Sequence, residues 1–384
     1  MIPGARDLFV LDPSVAHLNH GSFGAIPKIV RAERQRLLDE FDANPLRLVT
    51  GDLWERTAAA RRQFADFLGA EPELSALVGN ATQGMAIVLN SLDLRPGDEI
   101  VITDHSYNAF TLAVQDQGAR RGVKMIVAPI DLELPVTETV ATITSLVNER
   151  TKLVIVDQIS SATAQLHPVA EIAAALRPLG VPLLVDGAHA PGMLHKPLAG
   201  INADFWVGNL HKWAFAPSGT ALLRVSSAWR DRMVPLAVSH GHAEGYPKHL
   251  EQQGTRDFST WLAAVAGLTL FEQFGEVQIQ RHNVDLAAYG QRVVGEALGV
   301  DPEQLPNSGD GVSMRIIPLP AGVADDYDRA NPLRRRIADE LGIEVAVNAW
   351  RGRGWLRISG QIYNTEDECD RLAAALPALL KAAA

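Results

Sequence analysis

Lys212 stands in the run Gly208-Asn209-Leu210-His211-Lys212-Trp213, and 26 positions earlier Asp186 ends the apolar run Val181-Pro182-Leu183-Leu184-Val185. An amine can hold an aldehyde as a Schiff base, and a carboxylate can keep a pyridine nitrogen protonated so that the ring drains electrons from a bound amino acid. Together they point to a cofactor carrying both groups. A lone lysine is more often a solvated surface residue, and an aspartate after a strand is more often a turn or cap. Lys212, however, is surrounded in sequence by Phe205, Trp206, Trp213 and Phe215. Partial burial makes an amine the better nucleophile toward an aldehyde. His189, three residues after Asp186, could hydrogen-bond a phenolic oxygen of such a cofactor, although a single histidine is more often structural.

Three further segments fit a pyridoxal phosphate (PLP) site. The turn Gly79-Asn80-Ala81-Thr82-Gln83-Gly84 follows a strand candidate and opens a helix candidate. Backbone N–H groups at a helix N-terminus, with a threonine hydroxyl, bind phosphate, and Asn80 or Thr82 could equally be a plain cap. His105, in Thr103-Asp104-His105-Ser106-Tyr107, could lie on a cofactor ring or be a turn histidine. Arg357 sits inside the apolar strand candidate Gly354–Ser359. A buried guanidinium needs partners, either a substrate carboxylate held by its fork or an internal salt bridge.

These residues need a scaffold, and the chain reads as α/β. Strand candidates are 74–78, 99–103, 124–128, 153–157, 182–186, 205–208 and 219–225, separated mostly by helical stretches at 81–92, 108–121, 137–148 and 169–179. Such alternation predicts a mostly parallel seven-stranded sheet with helices on both faces, its last two strands forming an antiparallel pair. Residues 28–68 carry helical patterning. After about residue 250 the pattern becomes α+β: helices at 259–274, 277–298 and 365–383, strands at 312–318, 343–347 and 354–359. The expected division is a large cofactor-binding domain over 15–250 and a small C-terminal domain over 251–384, with 1–14 packing on the latter. Gly241–Gly254 reads as a connecting loop.

Of 384 residues 47% are hydrophobic and 21% charged, an ordinary globular composition, and the net charge is 35 − 45 = −10. The acidic balance argues against nonspecific nucleic-acid binding and a basic membrane-surface face. One cysteine, Cys369, permits no intrachain disulfide, which suits a cytoplasmic setting. The N-terminus does not read as a signal peptide, and no apolar run is long enough for a membrane span. His240 and His242 lie two apart in a Gly-rich loop with no third ligand in view, so no metal is expected.

In this order and spacing the pieces resemble the class V, fold-type I PLP enzymes, relatives of the cysteine desulfurases, nearly end to end. The likeness is closest to the isopenicillin N epimerase-like branch. It is carried by Leu18-Asn19-His20-Gly21-Ser22-Phe23-Gly24, by Val185-Asp186-Gly187-Ala188-His189-Ala190-Pro191-Gly192, by His211-Lys212-Trp213 with Ala216-Pro217-Ser218-Gly219, and by Gln253-Gly254-Thr255-Arg256-Asp257. The resemblance implies that Lys212 forms the internal aldimine, Asp186 binds the pyridine nitrogen, His189 contacts the phenolic oxygen and His105 stacks on the ring. It implies that Ala81, Thr82, Asn209 and His211 hold the phosphate, with Thr255 reaching over from the second subunit of a homodimer. Arg357 would hold the substrate α-carboxylate, with Asn19 and His20 on the substrate side. Ser161 falls where desulfurases have an asparagine.

The implied substrate is a small molecule, a peptide-like or long-chain amino acid or another amino-acid-bearing compound. The implied reaction is racemisation or epimerisation, with C–S or β-elimination and transamination as the alternatives. A persulfide-forming desulfurase needs a cysteine in the loop before the carboxylate-binding arginine, and Glu344 to Arg353 contains none. Inversion needs a second acid, for which His20, Tyr107, His240, His242 and Tyr363 are candidates.

Overall fold

Runs of Val, Ile and Leu separated by amphipathic stretches can bury both faces only in a parallel sheet with helices on either side. The computed structural model, which describes residues 2–381, has such a sheet. Its strands in chain order are β1 (Ser75–Val78), β2 (Glu99–Thr103), β3 (Lys124–Ala128), β4 (Thr151–Asp157), β5 (Leu183–Asp186), β6 (Phe205–Asn209) and β7 (Ala221–Val225). Across the sheet the order is β1-β7-β6-β5-β4-β2-β3. β2 to β6 are parallel, and β7 runs antiparallel to both β6 and β1. The connection from β6 to β7 has no helix and is too short for a crossover, which leaves the antiparallel return. Alternate residues feed two cores, Val154, Val156, Val185 and Trp206 on one face and Leu153, Ile155, Leu184 and Val207 on the other.

The chain divides into two compact units: Ile29–Ile159 with His167–Thr269, and Met1–Lys28 with Ser160–Leu166 and Leu270–Ala384. The sequence boundary at 250/251 therefore differs from the structural one. Residues 251–269 pack with the large sheet, and residues 15–28 pack with the C-terminal unit. The reason for the first difference is Glu251. Gly241–Gly254, read as a loop, contains a 3-10 turn at His240–Glu244 and a short helix at Lys248–Glu251. Glu251 is 3% exposed, pairs with Arg61 at 2.6 Å and accepts the Leu77 N–H at 3.0 Å, tying the segment to β1. The helix expected at 259–274 is broken into Ser259–Ala264, a 3-10 turn at Val265–Leu268 and Thr269–Phe274. Gly267 passes so close to the Ala214 carbonyl that a Cβ there would lie 2.7 Å from its oxygen.

In the small unit β8 (Met314–Pro318), β9 (Ala346–Trp350) and β10 (Arg353–Ser359) form an antiparallel sheet in the order β9-β10-β8. Arg351 and Gly352 both have positive φ, 48° and 70°, as a two-residue type I′ hairpin requires. The single strand expected at 343–347 is split: Ile343–Glu344 pairs with Ala16–His17, and Ala346 begins the hairpin. That parallel pair is what binds the N-terminal segment to this unit. Tyr327–Leu341 is a helix to which the sequence assigned no element. Pro332 lies inside it, but Asp326 caps it and Ala330, Leu333 and Ile337 form one buried stripe. The terminal helix runs Glu366–Lys381, and residues 382–383 of its expected range lie outside the described residues. Among the described residues no helix is long and apolar enough to cross a membrane.

Removing one partner of a buried ion pair strands the other charge. Glu251→Ala should therefore destabilise the protein by about 3 kcal/mol in urea unfolding, with Glu251→Gln costing less. A loss of under about 0.5 kcal/mol for the alanine variant would show that Glu251 does not anchor the 248–254 segment.

Candidate active site

Asp157, Asp186 and Asn209 end three neighbouring parallel strands, β4, β5 and β6. They meet at the carboxyl edge of the sheet, where open α/β folds bind ligands. Gly187 to Gly192 and Leu210 to Gly219 continue from this edge, so His189, His211 and Lys212 belong to the same unit. Gly84 allows a helix to reach it. A Cβ on Gly84 would lie 2.5 Å from Val207 Cγ2, so only glycine lets Ala81–Ser91 sit this close to β6.

Lys212 is 9% exposed, and its Nζ lies 3.0 Å from His189 Nε2. The indole N–H of Trp213 donates to His189 Nδ1 at 3.3 Å. An indole can only donate, so Nδ1 is unprotonated and the neutral ring carries its hydrogen on Nε2. That hydrogen points at Lys212, which makes Nζ an acceptor with its lone pair in place. This is the form in which an amine attacks an aldehyde. The Tyr107 ring centroid is 6.0 Å from Nζ, and Tyr107 is 44% exposed.

Asp186 is buried, and its Oδ1 accepts the Ala188 N–H at 2.9 Å. Burial raises its carboxyl to about 6 despite that bond. Such a group is satisfied as an anion by a cation brought to it. His105 is buried and its Nε2 lies 2.8 Å from the Ile130 carbonyl, to which only a protonated nitrogen can donate. His167 packs edge-on against His105 at 5.0 Å, and burial pushes its imidazole down to about 3, so it stays neutral there.

At the helix Ala81–Ser91, Asn80 accepts the Gln83 N–H and Asn209 Oδ1 accepts the Ala81 N–H at 2.8 Å. The Ala81 N–H expected at the phosphate is thus spent on Asn209, leaving the Asn209 amide nitrogen and exposed Thr82 as donors. His211 lies with Nδ1 3.1 Å from the Thr220 carbonyl, and burial with neighbouring Lys212 pushes it down to about 4. It can donate from Nε2 only when doubly protonated, a form that a bound anion favours. Thr255 lies on an exposed loop between helices Lys248–Glu251 and Ser259–Ala264.

The small unit gathers a second group around Arg357, which is 2% exposed. Its Nη1 donates to the Ser161 carbonyl at 2.5 Å and to Ser161 Oγ at 3.2 Å; its Nη2 donates to Ser22 Oγ at 2.9 Å and Asn19 Oδ1 at 3.2 Å. Asn19 also donates to the Val345 carbonyl, and Ser22 to Asn19. These partners, all neutral, aim the guanidinium. His20 is buried, with Nδ1 2.9 Å from the Tyr363 hydroxyl and accepting the Ala25 N–H. Of the five candidates for a second acid, His20 and Tyr363 thus pair with each other, His240 and His242 lie on a 3-10 turn, and Tyr107 stands beside Lys212.

Four residues at these sites have no role in the sequence reading. Ser22 and Ser161 hold Arg357, and nothing in their sequence context signals it. Trp213 fixes the His189 tautomer, and its place next to Lys212 was the available hint. Asp157 ends an apolar strand just as Asp186 does. Among the described residues no three His, Cys, Asp or Glu side chains are grouped to hold a metal ion.

The donor set suits PLP: an unprotonated buried amine, a buried carboxylate wanting a cation, and a helix N-terminus with Thr82 and Asn209. Comparison with known proteins agrees. The aminotransferase class-V family model matches residues 24–372. Isopenicillin N epimerase of Streptomyces clavuligerus is 31% identical, covering 98% of this chain and 97% of its own. A putative L-cysteine desulfhydrase of Oryza sativa subsp. japonica is 28% identical over 96% of this chain and 85% of its own. Among solved structures, a C-DES mutant with glycine covalently linked to its PLP cofactor superposes with TM-score 0.82 at 21% identity, over 97% of this chain and 98% of that one. The Escherichia coli cysteine desulfurase CsdA gives 0.77 at 20% identity, over 98% and 97%. Sequence, sheet topology and site chemistry converge, and the chain belongs to the class V aminotransferase family of fold-type I, PLP-dependent enzymes.

Proposed function

We propose that this enzyme is a racemase or epimerase acting at Cα of an amino acid or amino-acid-bearing compound, a reaction like that of isopenicillin N epimerase. The observation that carries Cα chemistry is the Lys212 amine held as a hydrogen-bond acceptor by His189. Full-length similarity to isopenicillin N epimerases favours inversion among the reactions open to such a site.

When bound, the cofactor supplies an electron sink for charge developing at Cα. Lys212 would hold it covalently, Asp186 its ring nitrogen, His189 its phenolic oxygen and His105 its ring face. Thr82, Asn209, His211 and the first turn of Ala81–Ser91 would hold its phosphate. Arg357 takes the substrate α-carboxylate in this reading, with Asn19 orienting the guanidinium and His20 behind it. Lys212 Nζ, freed when the substrate amine takes its place on the cofactor, would remove the Cα proton, and we assign its return on the other face to Tyr107. The working form is taken as a cytoplasmic homodimer, with Thr255 offered to the partner's phosphate. Exposed Val234, Leu236 and Val238 suit a covered surface.

A second reading, elimination at Cβ by a C–S lyase, is favoured by the L-cysteine desulfhydrase relatives. Transamination shares the same early proton step. Desulfuration through a persulfide is disfavoured: Cys369 is buried in the terminal helix, and burial pushes its thiol up to about 12. Incubation with L-amino acids and cysteine conjugates in D2O separates these. Deuterium at Cα with growing D-isomer supports epimerisation. Pyruvate with ammonia supports elimination, and a rising pyridoxamine band supports transamination; either one without D-isomer rejects the first reading.

Two variants follow from the geometry. Trp213→Phe frees His189 Nδ1 to take the hydrogen, so covalent capture of added PLP at neutral pH should slow about tenfold, the value of one buried hydrogen bond. Stopped-flow absorbance checks it, and an unchanged rate removes the indole from the mechanism. Tyr107→Phe should lower L-to-D conversion at least about tenfold while deuterium washout from the L-isomer persists. Equal loss of both would mean that Tyr107 does not serve the second face.

A further inference from the structure

Asp157 and Asp186 are register partners on the adjacent parallel strands β4 and β5, so their side chains leave the sheet on the same side. Each is 2% exposed. Among the described residues, Asp186 receives the backbone N–H of Ala188 and Asp157 that of Tyr107, while Asp157 Oδ1 has no hydrogen-bond partner. The titratable groups acting on Asp157 are Asp186, which repels as an anion, and Lys212, which attracts only when protonated; Tyr107 acts through its backbone alone. Two carboxyls side by side in a low dielectric do not both ionise. Asp157 is the poorer anion of the two. Burial and Asp186 hold its carboxyl well above the usual range and its Oδ1 lacks a partner, whereas Asp186 Oδ1 accepts the Ala188 N–H.

We propose that Asp157 is a positioning residue for Asp186: it remains a neutral acid carrying the one proton the two carboxyls share, and so leaves a single negative charge, on Asp186, to meet the cofactor's ring nitrogen. The inference rests on the assignment of that nitrogen to Asp186 made above. Its function is charge accounting. A second anion at this edge would compete for the ring proton and favour protonated Lys212 over the amine. A neutral acid does neither and fills the space with a hydrogen-bonding group.

The sign of the pH effect follows. An acid whose folded pKa is raised holds more protons folded than unfolded, so stability falls as pH rises from the unfolded pKa through the folded one. The apoprotein's Tm should therefore decline as pH rises above the ordinary aspartate range, and Asp157→Asn, neutral and isosteric, should flatten much of that decline. Asp157→Asn should keep PLP affinity within about threefold and leave the cofactor absorbance unchanged, while Asp186→Asn should weaken affinity by about a hundredfold or more. In the wild-type apoprotein an infrared carboxylic-acid band should persist at neutral pH and vanish in Asp157→Asn, a readout that a merely space-filling Asp157 would not give. The inference is overturned if Asp157→Asn loses PLP as Asp186→Asn does, if both proteins share one Tm profile, or if the band is absent. If Asp186→Asn retains PLP unchanged, the ring-nitrogen assignment falls and takes this inference with it.

Discussion

The Trp213 indole N–H on His189 Nδ1 is the contact on which the chemistry of the large unit depends. It has one possible direction, and that direction propagates. It sets the imidazole tautomer, puts a hydrogen on Nε2 and turns Lys212 Nζ into an acceptor. Without it His189 could carry its hydrogen on Nδ1 and offer Nε2 to an ammonium, a comfortable pair but a poor nucleophile. The protein thus prepares its amine by orientation, within a segment where Trp213 itself is buried against the sheet edge.

That orientation holds because the surrounding backbone is fixed. Five parallel strands end at one level, which brings Asp157, Asp186 and Asn209 together without any loop having to place them. β7 returns antiparallel and closes the sheet beside the Lys212 segment, and the Thr220 carbonyl at its start holds His211. On the small unit the logic is different. Arg357 comes from β10, whose alternate residues Leu356 and Ile358 enter the core, so the arginine is forced to the opposite face. There neutral Asn19, Ser22 and Ser161 spread the guanidinium's donors and fix its orientation.

The sequence made legible what depends on local pattern. All seven strands of the large sheet follow from apolar runs and their punctuation, and Asp186 stands out because a polar group terminating an apolar strand is conspicuous, with His189 and Lys212 in the segments that follow such strands. Contacts between distant segments were not legible. Arg61 and Glu251 are 190 residues apart, and neither shows in sequence that it is buried. Ser22 and Ser161 stand at positions the family resemblance marks, but nothing local to either shows that it holds Arg357. Pro332 and a dense run of charges masked the helix Tyr327–Leu341, whose buried stripe at Ala330, Leu333 and Ile337 outweighs one missing N–H. Asp157 carries the same signal as Asp186, an aspartate closing a buried strand, and only the strand register that sets the two side by side singles it out.

The buried carboxyls also tie cofactor to fold. Asp186, raised to about 6 by burial, holds more protons folded than unfolded between the ordinary aspartate pKa and about 6, so its burial costs stability as pH rises through that window. Above it the apoprotein carries an anion in an apolar place with a backbone N–H for relief. A cation brought to Asp186 reverses the balance, because a paired charge in low dielectric is far better placed than a lone one. The site is therefore least comfortable when empty at neutral pH, and part of the free energy of cofactor binding is the release of that burden. The residues that bind the cofactor are poor choices for a stable core, and that is why they mark the site.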